Sequence, residues 1–158
     1  MSDPIRVCFV CLGNICRSPL AEGIFIHLAK ERGLTDRFEV DSSGTGGWHA
    51  GNPADPRSIE VAKRHGVLLP SRARQFESSD TDRFDLFLAM DRDNRDTLIE
   101  RGVPESKVRL MRSYDPEYGK DESILDVPDP YYDGLEGFDH VYDMLVTACN
   151  GLLDELAE

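Results

Sequence analysis

The chain has 158 residues, 40% of them hydrophobic, with 18 basic against 30 acidic side chains and a formal net charge of −12. That length suits one domain spanning 1–158 with a normal buried core, and the sequence contains no run of 18 or more apolar residues that would predict a membrane span. The opening Met1-Ser2-Asp3-Pro4 lacks the basic and apolar regions of a signal peptide, and so acidic a chain is expected to avoid nucleic acid and anionic membrane.

The apolar run Ile5 to Val10, broken only by Arg6, predicts a short buried strand. Pro19 to Arg32 predicts a helix with Leu20, Ala21, Ile24, Phe25, Leu28 and Ala29 on one face, ended by Gly33. A second short strand, Phe38 to Asp41, runs into the Gly-rich loop from Ser42 to Pro53, which holds the only tryptophan, Trp48. Asp55-Pro56 reads as the N-cap and first residue of a helix closing near Gly66. Leu86 to Met90 is a third strand; Asp91 caps a helix that runs to about Arg101 and stops at Gly102; Val108 to Met111 is a fourth strand. From Ser113 to Asp133 there is no sustained periodicity, and prolines 116, 128 and 130 predict a long loop. The most regular helix closes the chain, with Phe138, Val141, Tyr142, Leu145, Val146, Cys149, Leu152, Leu153 and Leu156 at helical spacing.

Strands alternating with helices imply βαβ units, a parallel sheet and right-handed crossovers that put helices on both faces. Ligands of such sheets bind beyond the carboxyl ends of the strands, where the loops after Val10, around Trp48 and after Met111 converge. Charge is uneven along this path. Residues 1–112 carry 17 basic and 17 acidic side chains, whereas residues 113–158 carry one lysine and 13 acids. A generally acidic exterior accounts for this; a local negative field that helps a general acid keep its proton is the functional alternative.

Between the first strand and first helix lies Cys11-Leu12-Gly13-Asn14-Ile15-Cys16-Arg17-Ser18-Pro19. A strand leading through such a loop into a helix N-terminus gathers backbone N–H groups and the positive end of the helix dipole around one point. That point should bind a phosphate-like anion, with Cys11 beneath it. The N–H nest, the helix terminus and Arg17 would all stabilise the thiolate. Gly13 can take positive φ and Asn14 tolerates it, so the amides can curl inward. Arg17 offers a planar fork for two equatorial phosphoryl oxygens. Ser18 either donates to the Cys11 sulfur or caps the helix, and Pro19 sits where a missing N–H costs least. The set suits in-line attack of sulfur on phosphorus and hydrolysis of the resulting phosphocysteine, chemistry that calls for no metal or other cofactor.

Other assignments compete for the same residues. Cys8, Cys11 and Cys16 are candidate zinc thiolates, although Cys8 sits on an apolar strand and no paired second cluster completes four ligands. Cys8 and Cys149 read as core residues. Four cysteines at 8, 11, 16 and 149 do not form a secreted disulfide framework, which predicts a reduced, cytoplasmic location. A phenolate leaving group, whose conjugate acid has a pKa near ~10, needs a proton donor; Asp126, Asp129 and Asp133 are all candidates. Trp48, Tyr131 and Tyr132 read either as walls of a slot for an aromatic ring or as ordinary surface aromatics. His27, His49, His65 and His140 gather around no motif and read as bystanders.

The stretch from Val10 to Pro19, with Asp129-Pro130-Tyr131-Tyr132, resembles the low-molecular-weight protein tyrosine phosphatases. The similarity covers nearly the whole chain, including Asp41-Ser42-Ser43-Gly44, Ala73-Arg74-Gln75 and Met90-Asp91. It implies a flavodoxin-like, three-layer α/β fold: an open, twisted, four-stranded parallel sheet in the order 2-1-3-4. It also implies that Cys11 is the nucleophile, Arg17 the phosphate clamp and Asp129 the general acid and then base. Leu12, Gly13, Asn14, Ile15, Cys16 and Ser18 would complete the phosphate loop, and Trp48, Tyr131 and Tyr132 would line the slot. The family often has a histidine near the position of Ser71, which this chain lacks.

The expected function is therefore phosphotyrosine hydrolysis on phosphoproteins, opposing a tyrosine kinase, by a monomer or weak dimer. Related enzymes on this scaffold are the alternatives. Arsenate reductases relay a disulfide through further cysteines, and residues 78–92 contain none. Arginine phosphatases tend to carry threonine where this loop has Ile15, and an apolar Ile15 favours a phenyl ring over a guanidinium. A non-catalytic phosphoprotein-binding or redox-sensing module is the remaining alternative. Cys16, five residues from Cys11, is either a packing residue or a partner whose disulfide protects the nucleophile from overoxidation.

Overall fold

A computed structural model of the chain describes residues 3–69, 71–117 and 125–157. Four parallel strands, β1 (Ile5–Cys11), β2 (Phe38–Gly44), β3 (Leu86–Ala89) and β4 (Val108–Leu110), form one sheet in the order β2-β1-β3-β4. The registers pair Val7 with Val40 and with Leu86, and Phe87 with Val108. The order and the doubly covered sheet match the expected flavodoxin-like architecture.

The central strand shows why the sheet needs helices on both faces. Val7, Phe9 and Cys11 point into one core, with Leu88 and Met90 and residues of α1 (Arg17–Glu31), α2 (Pro56–Arg64) and α5 (Leu135–Leu156). Cys8 and Val10 point into the other, with Phe76, Phe84, Phe87 and Leu98. That second core is closed by Leu98 of α4 (Arg92–Glu100), while the short α3 (Asp80–Arg83) leads directly into Phe84. Alternate residues are thus buried on opposite sides, which is why β1 reads as a continuous apolar run. Truncating a fully buried ring such as Phe9 should cost about 3–5 kcal/mol.

Several boundaries move from their expected places. Helix α1 begins at Arg17, two residues before Pro19, so Pro19 is its third residue, still among the positions whose N–H has no intrahelical acceptor. Strand β2 continues through Ser42–Gly44, because these residues pair with Phe9–Cys11. Short range thus hides a strand whose composition looks like loop. Met111 opens a 3₁₀ turn, Met111–Tyr114, rather than closing β4, and Asp80–Arg83 is a helical turn that periodicity over so few residues does not reveal. The caps are as read: the Asp55 carboxylate accepts from Arg57 N at 2.8 Å and that of Asp91 from Asn94 N at 2.7 Å. Residues 118–124 of the expected long loop lie outside the described residues.

Candidate active site

The loop from Leu12 to Cys16 leaves the carboxyl end of β1 and enters α1 without a side-chain cap on the helix. Ser18 does not cap the helix; its Oγ lies within hydrogen-bond distance of Cys11 Sγ, at 2.9 Å. The Asn14 backbone N–H also donates to Cys11 Sγ, at 3.3 Å. Asn14, not Gly13, carries the positive φ, at 55°. Its side chain explains how it is held there: Nδ2 donates to Ser18 Oγ at 2.8 Å and to Ser42 Oγ at 3.0 Å, and Oδ1 accepts from Arg74 N at 3.0 Å. Gly13 instead leaves room for the His49 ring, since a Cβ there would lie 3.2 Å from it. The end of β2 closes the outside of the loop, Thr45 N donating to Cys11 O and Gly46 N to Leu12 O, both at 2.9 Å.

Beneath Asn14 the polar chain continues inward. Ser42 Oγ donates to Glu22 Oε1 at 2.6 Å. Burial pushes the Glu22 carboxyl above the usual glutamate range, against the pull of hydrogen bonds from Ser42 and Ser71. Ser71 thus contributes at the position where a histidine is often found.

Arg17 is almost fully buried and is aimed by two bonds, Nη1 to Asp91 Oδ2 at 2.7 Å and to Val127 O at 2.9 Å. Asp91 uses one carboxylate oxygen to cap α4 and the other to orient Arg17. Its capping role was legible in the sequence; its grip on Arg17, across 74 residues, was not. Burial opposes the charge on Arg17, but Cys11, Asp91 and Asp129 outweigh it and hold the guanidinium's pKa above the arginine value. The Arg17 Nε has no protein partner among the described residues.

Three carboxylates competed for the acid position, and geometry separates them. Asp126 is engaged by Arg92, through its backbone N–H at 2.9 Å and its guanidinium; although burial opposes it, these bonds hold the Asp126 carboxyl below the usual range. Asp133 lies against Gly137 at the start of α5. Asp129 lines the same cleft as Cys11 and Arg17, 3.7 Å from Arg17 Nη2, and accepts from Tyr131 N at 3.1 Å. Its ion-pair contact is thus a cation, not the acidic field that charge along the chain suggested.

The cleft holds about 230 Å³. Cys11, Leu12, Gly13, Ile15, Cys16 and Arg17 line it from the loop after β1, and Trp48, Tyr131 and Tyr132 line it from the two distant loops. Trp48 and Tyr132 are 73% and 95% exposed, so the walls are open rather than packed. His49 also lines the cleft, its ring 6.2 Å from that of Tyr131; it is no bystander, and its place beside Trp48 in the Gly-rich loop was the available clue. His27 by contrast pairs with Glu31 and His65 stacks on Tyr142, away from the cleft.

The thiols do not assemble a zinc site, because Cys8 and Cys11 enter opposite cores. Cys8 and Cys149 are fully buried, as expected of core residues. Burial, reinforced by Asp55 and Cys11, pushes the Cys16 thiol well above the usual cysteine range. The arrangement as a whole brings a thiol, a guanidinium and a carboxyl group together in one cleft bordered by aromatic side chains.

Residues 6–158 match the family model described as low molecular weight phosphotyrosine protein phosphatase. A low molecular weight protein-tyrosine-phosphatase of Streptomyces coelicolor is 47% identical over 97% of this chain and 94% of its own length. A solved protein tyrosine phosphatase from Entamoeba histolytica superposes with a TM-score of 0.90 at 38% identity, covering 97% of each chain. A Drosophila arginine phosphatase superposes with a TM-score of 0.88 at 31% identity, covering 98% of this chain and 99% of its own.

Proposed function

The chain belongs to the low molecular weight phosphotyrosine protein phosphatases, and from that membership we propose how its own residues divide the work of a cysteine-based protein-tyrosine phosphatase. The Cys11 thiolate, receiving the Asn14 N–H and held against Ser18, attacks phosphorus in line. The Arg17 fork, aimed by Asp91, spans two equatorial oxygens whose charge grows in the transition state. Asp129 gives its proton to the departing tyrosyl oxygen. The sulfur–phosphorus bond forms as the phosphorus–oxygen bond breaks, leaving a phosphocysteine. Asp129, now ionised, takes a proton from the water that attacks phosphorus, and Cys11 leaves as thiolate.

The observation that carries this reading is that Cys11, Arg17 and Asp129 share one cleft, with the Asp129 carboxylate 3.7 Å from Arg17. Ile15 inside the cleft and Trp48, Tyr131 and Tyr132 at its rim support an aryl group in preference to a guanidinium, although an arginine phosphatase shares the fold. The deciding assay compares phosphotyrosine, phosphoserine and phosphoarginine peptides in the presence of chelator. Turnover of the first, abolished in Cys11→Ser, is expected; preferential turnover of phosphoarginine would overturn the substrate assignment.

Cys16 fits a protective role. Burial raises the pKa of the Cys16 thiol, whereas the Cys11 sulfur faces the cleft with the Asn14 N–H on it; peroxide oxidises Cys11 to the sulfenic acid. Attack by the Cys16 sulfur then forms the disulfide and releases water. Mass spectrometry after mild peroxide should find the Cys11–Cys16 crosslink; sulfinic or sulfonic Cys11 without it would refute this role. The phosphoprotein substrates are taken to be cytoplasmic phosphotyrosine proteins opposed by a tyrosine kinase, with the enzyme acting as a monomer or weak dimer.

A further inference from the structure

The N-terminus of α2 touches both halves of the active site. Asp55 N donates to Ile15 O at 2.7 Å and Ser58 Oγ to Cys16 O at 3.3 Å, so this helix end is fastened to the phosphate loop. Arg57, between these two residues in sequence, reaches the other way. Its Nε and Nη2 both meet the Asp55 carboxylate at 3.0 Å, which fixes the plane of the guanidinium. Its Nη1 donates to Asp133 O at 2.9 Å. The guanidinium carbon lies 5.6 Å from the Tyr131 ring centroid and 4.5 Å from that of Phe138, a fully buried residue of α5. Arg57 therefore contacts the segment from Asp129 to Asp133 at a ring and at a carbonyl, while rooted through Asp55 in the loop that carries the nucleophile.

We propose that Arg57 is a positioning residue that sets the acid-bearing segment, Asp129 and the Tyr131 wall, at a fixed reach from the phosphate loop. The role rests on the reading of Asp129 as general acid. A planar fork is needed, because three bonds in one plane and two ring contacts must be met at once; an ammonium meets only one of them at a time. Without the fork, Tyr131 and the Asp133 carbonyl lose their shared anchor to α2, and the segment is held at Val127 O by Arg17 and by its junction with α5, with no tie to the phosphate loop between them. Phosphate binding at the loop, which uses Arg17 and backbone N–H groups, does not depend on this brace.

The test compares Arg57→Ala and Arg57→Lys with the parent and with Asp129→Ala. In Arg57→Lys, kcat/KM for a phosphotyrosine peptide is expected to fall about 10- to 100-fold, as displacing a reacting group by ~1 Å can do, while p-nitrophenyl phosphate, with its better leaving group, falls less than about threefold. The Arg57→Ala split should be at least as large. An unchanged leaving-group dependence in Arg57→Lys overturns the proposal, whatever happens to its melting temperature. If Asp129→Ala loses both substrates equally, the acid assignment fails instead, and inhibition by benzylphosphonate against inorganic phosphate then decides. Weakened benzylphosphonate with unchanged phosphate in both Arg57 variants keeps the brace on Tyr131; parallel inhibition constants remove it.

Discussion

Replacing Asn14 separates the backbone and side-chain contributions to the phosphate loop. In Asn14→Ala a residue with a Cβ must hold a left-handed φ of 55°, which costs about 1–2 kcal/mol. The Arg74 N–H, paired with Asn14 Oδ1 at 3.0 Å, loses its acceptor inside the protein, at about 1–3 kcal/mol. The hydroxyls of Ser18 and Ser42 each lose a donor, at 2.8 and 3.0 Å. The total is about 4 kcal/mol, or a fall in Tm of roughly 8–16 °C for a chain of this size. Asn14→Gly loses the same hydrogen bonds without the φ penalty, and after the entropy of glycine is counted it should be about 1 kcal/mol more stable than the alanine variant. Urea denaturation of the three proteins at constant m-value measures both differences. Both variants should lose at least about 10-fold in kcat, because Ser18 and the amide that meets Cys11 are no longer held. An alanine variant as stable as the glycine variant would refute the argument from φ.

Asp91→Asn keeps the cap on α4 but removes the charge that aims Arg17; kcat should fall by more than about 10-fold while the melting temperature changes little, and inhibition by vanadate should weaken in parallel. For Asp129→Ala, the loss in kcat/KM should grow with the pKa of the leaving phenol across a series of aryl phosphates; a flat series would remove Asp129 as acid. Glu22 gives a pH test of stability. Its folded pKa lies above its unfolded one, so its contribution is full below the unfolded pKa and is lost as pH rises through the folded value. Glu22→Gln should therefore be more stable than the parent at pH 7 to 8 and gain nothing at pH 4; a constant difference across that range would show that Glu22 does not titrate with folding.

The phosphate loop was legible because its residues are consecutive. Strand β1, the loop and α1 are one continuous segment, and each residue type reports a local demand: apolar alternation into two cores, positive φ at Asn14, a hydroxyl two residues into the helix. The error over Gly13 is instructive on the same terms. Composition shows that a glycine is present but not whether it supplies φ or room, and here a ring 36 residues onward, that of His49, is what the missing Cβ leaves room for. The end of strand β2 is hidden for a related reason: Ser42, Ser43 and Gly44 have loop-like composition and are strand only because β1 pairs with them.

The side chains that make the loop reactive come from farther away. Asp91 was read as a helix cap, and it is one, but a carboxylate has two oxygens and the second holds Arg17. Nothing within a few residues of Asp91 points to that use. Asp126, Asp129 and Asp133 are chemically equal in the sequence, and only tertiary contacts separate them: Arg92 occupies the first, the start of α5 lies against the third, and the second faces Cys11's cleft. Resemblance singles out Asp129 from the three, and in the fold it is Asp129 that lines the cleft with Cys11 and Arg17. Asp126 is bonded by Arg92 at 2.9–3.3 Å, which holds its carboxyl below the usual range, whereas Asp129 faces the cleft that Cys11 and Arg17 line. The choice among the three thus turns on which carboxylate the fold brings to the cleft of Cys11 and Arg17, and no pattern local to Asp129 carries that information.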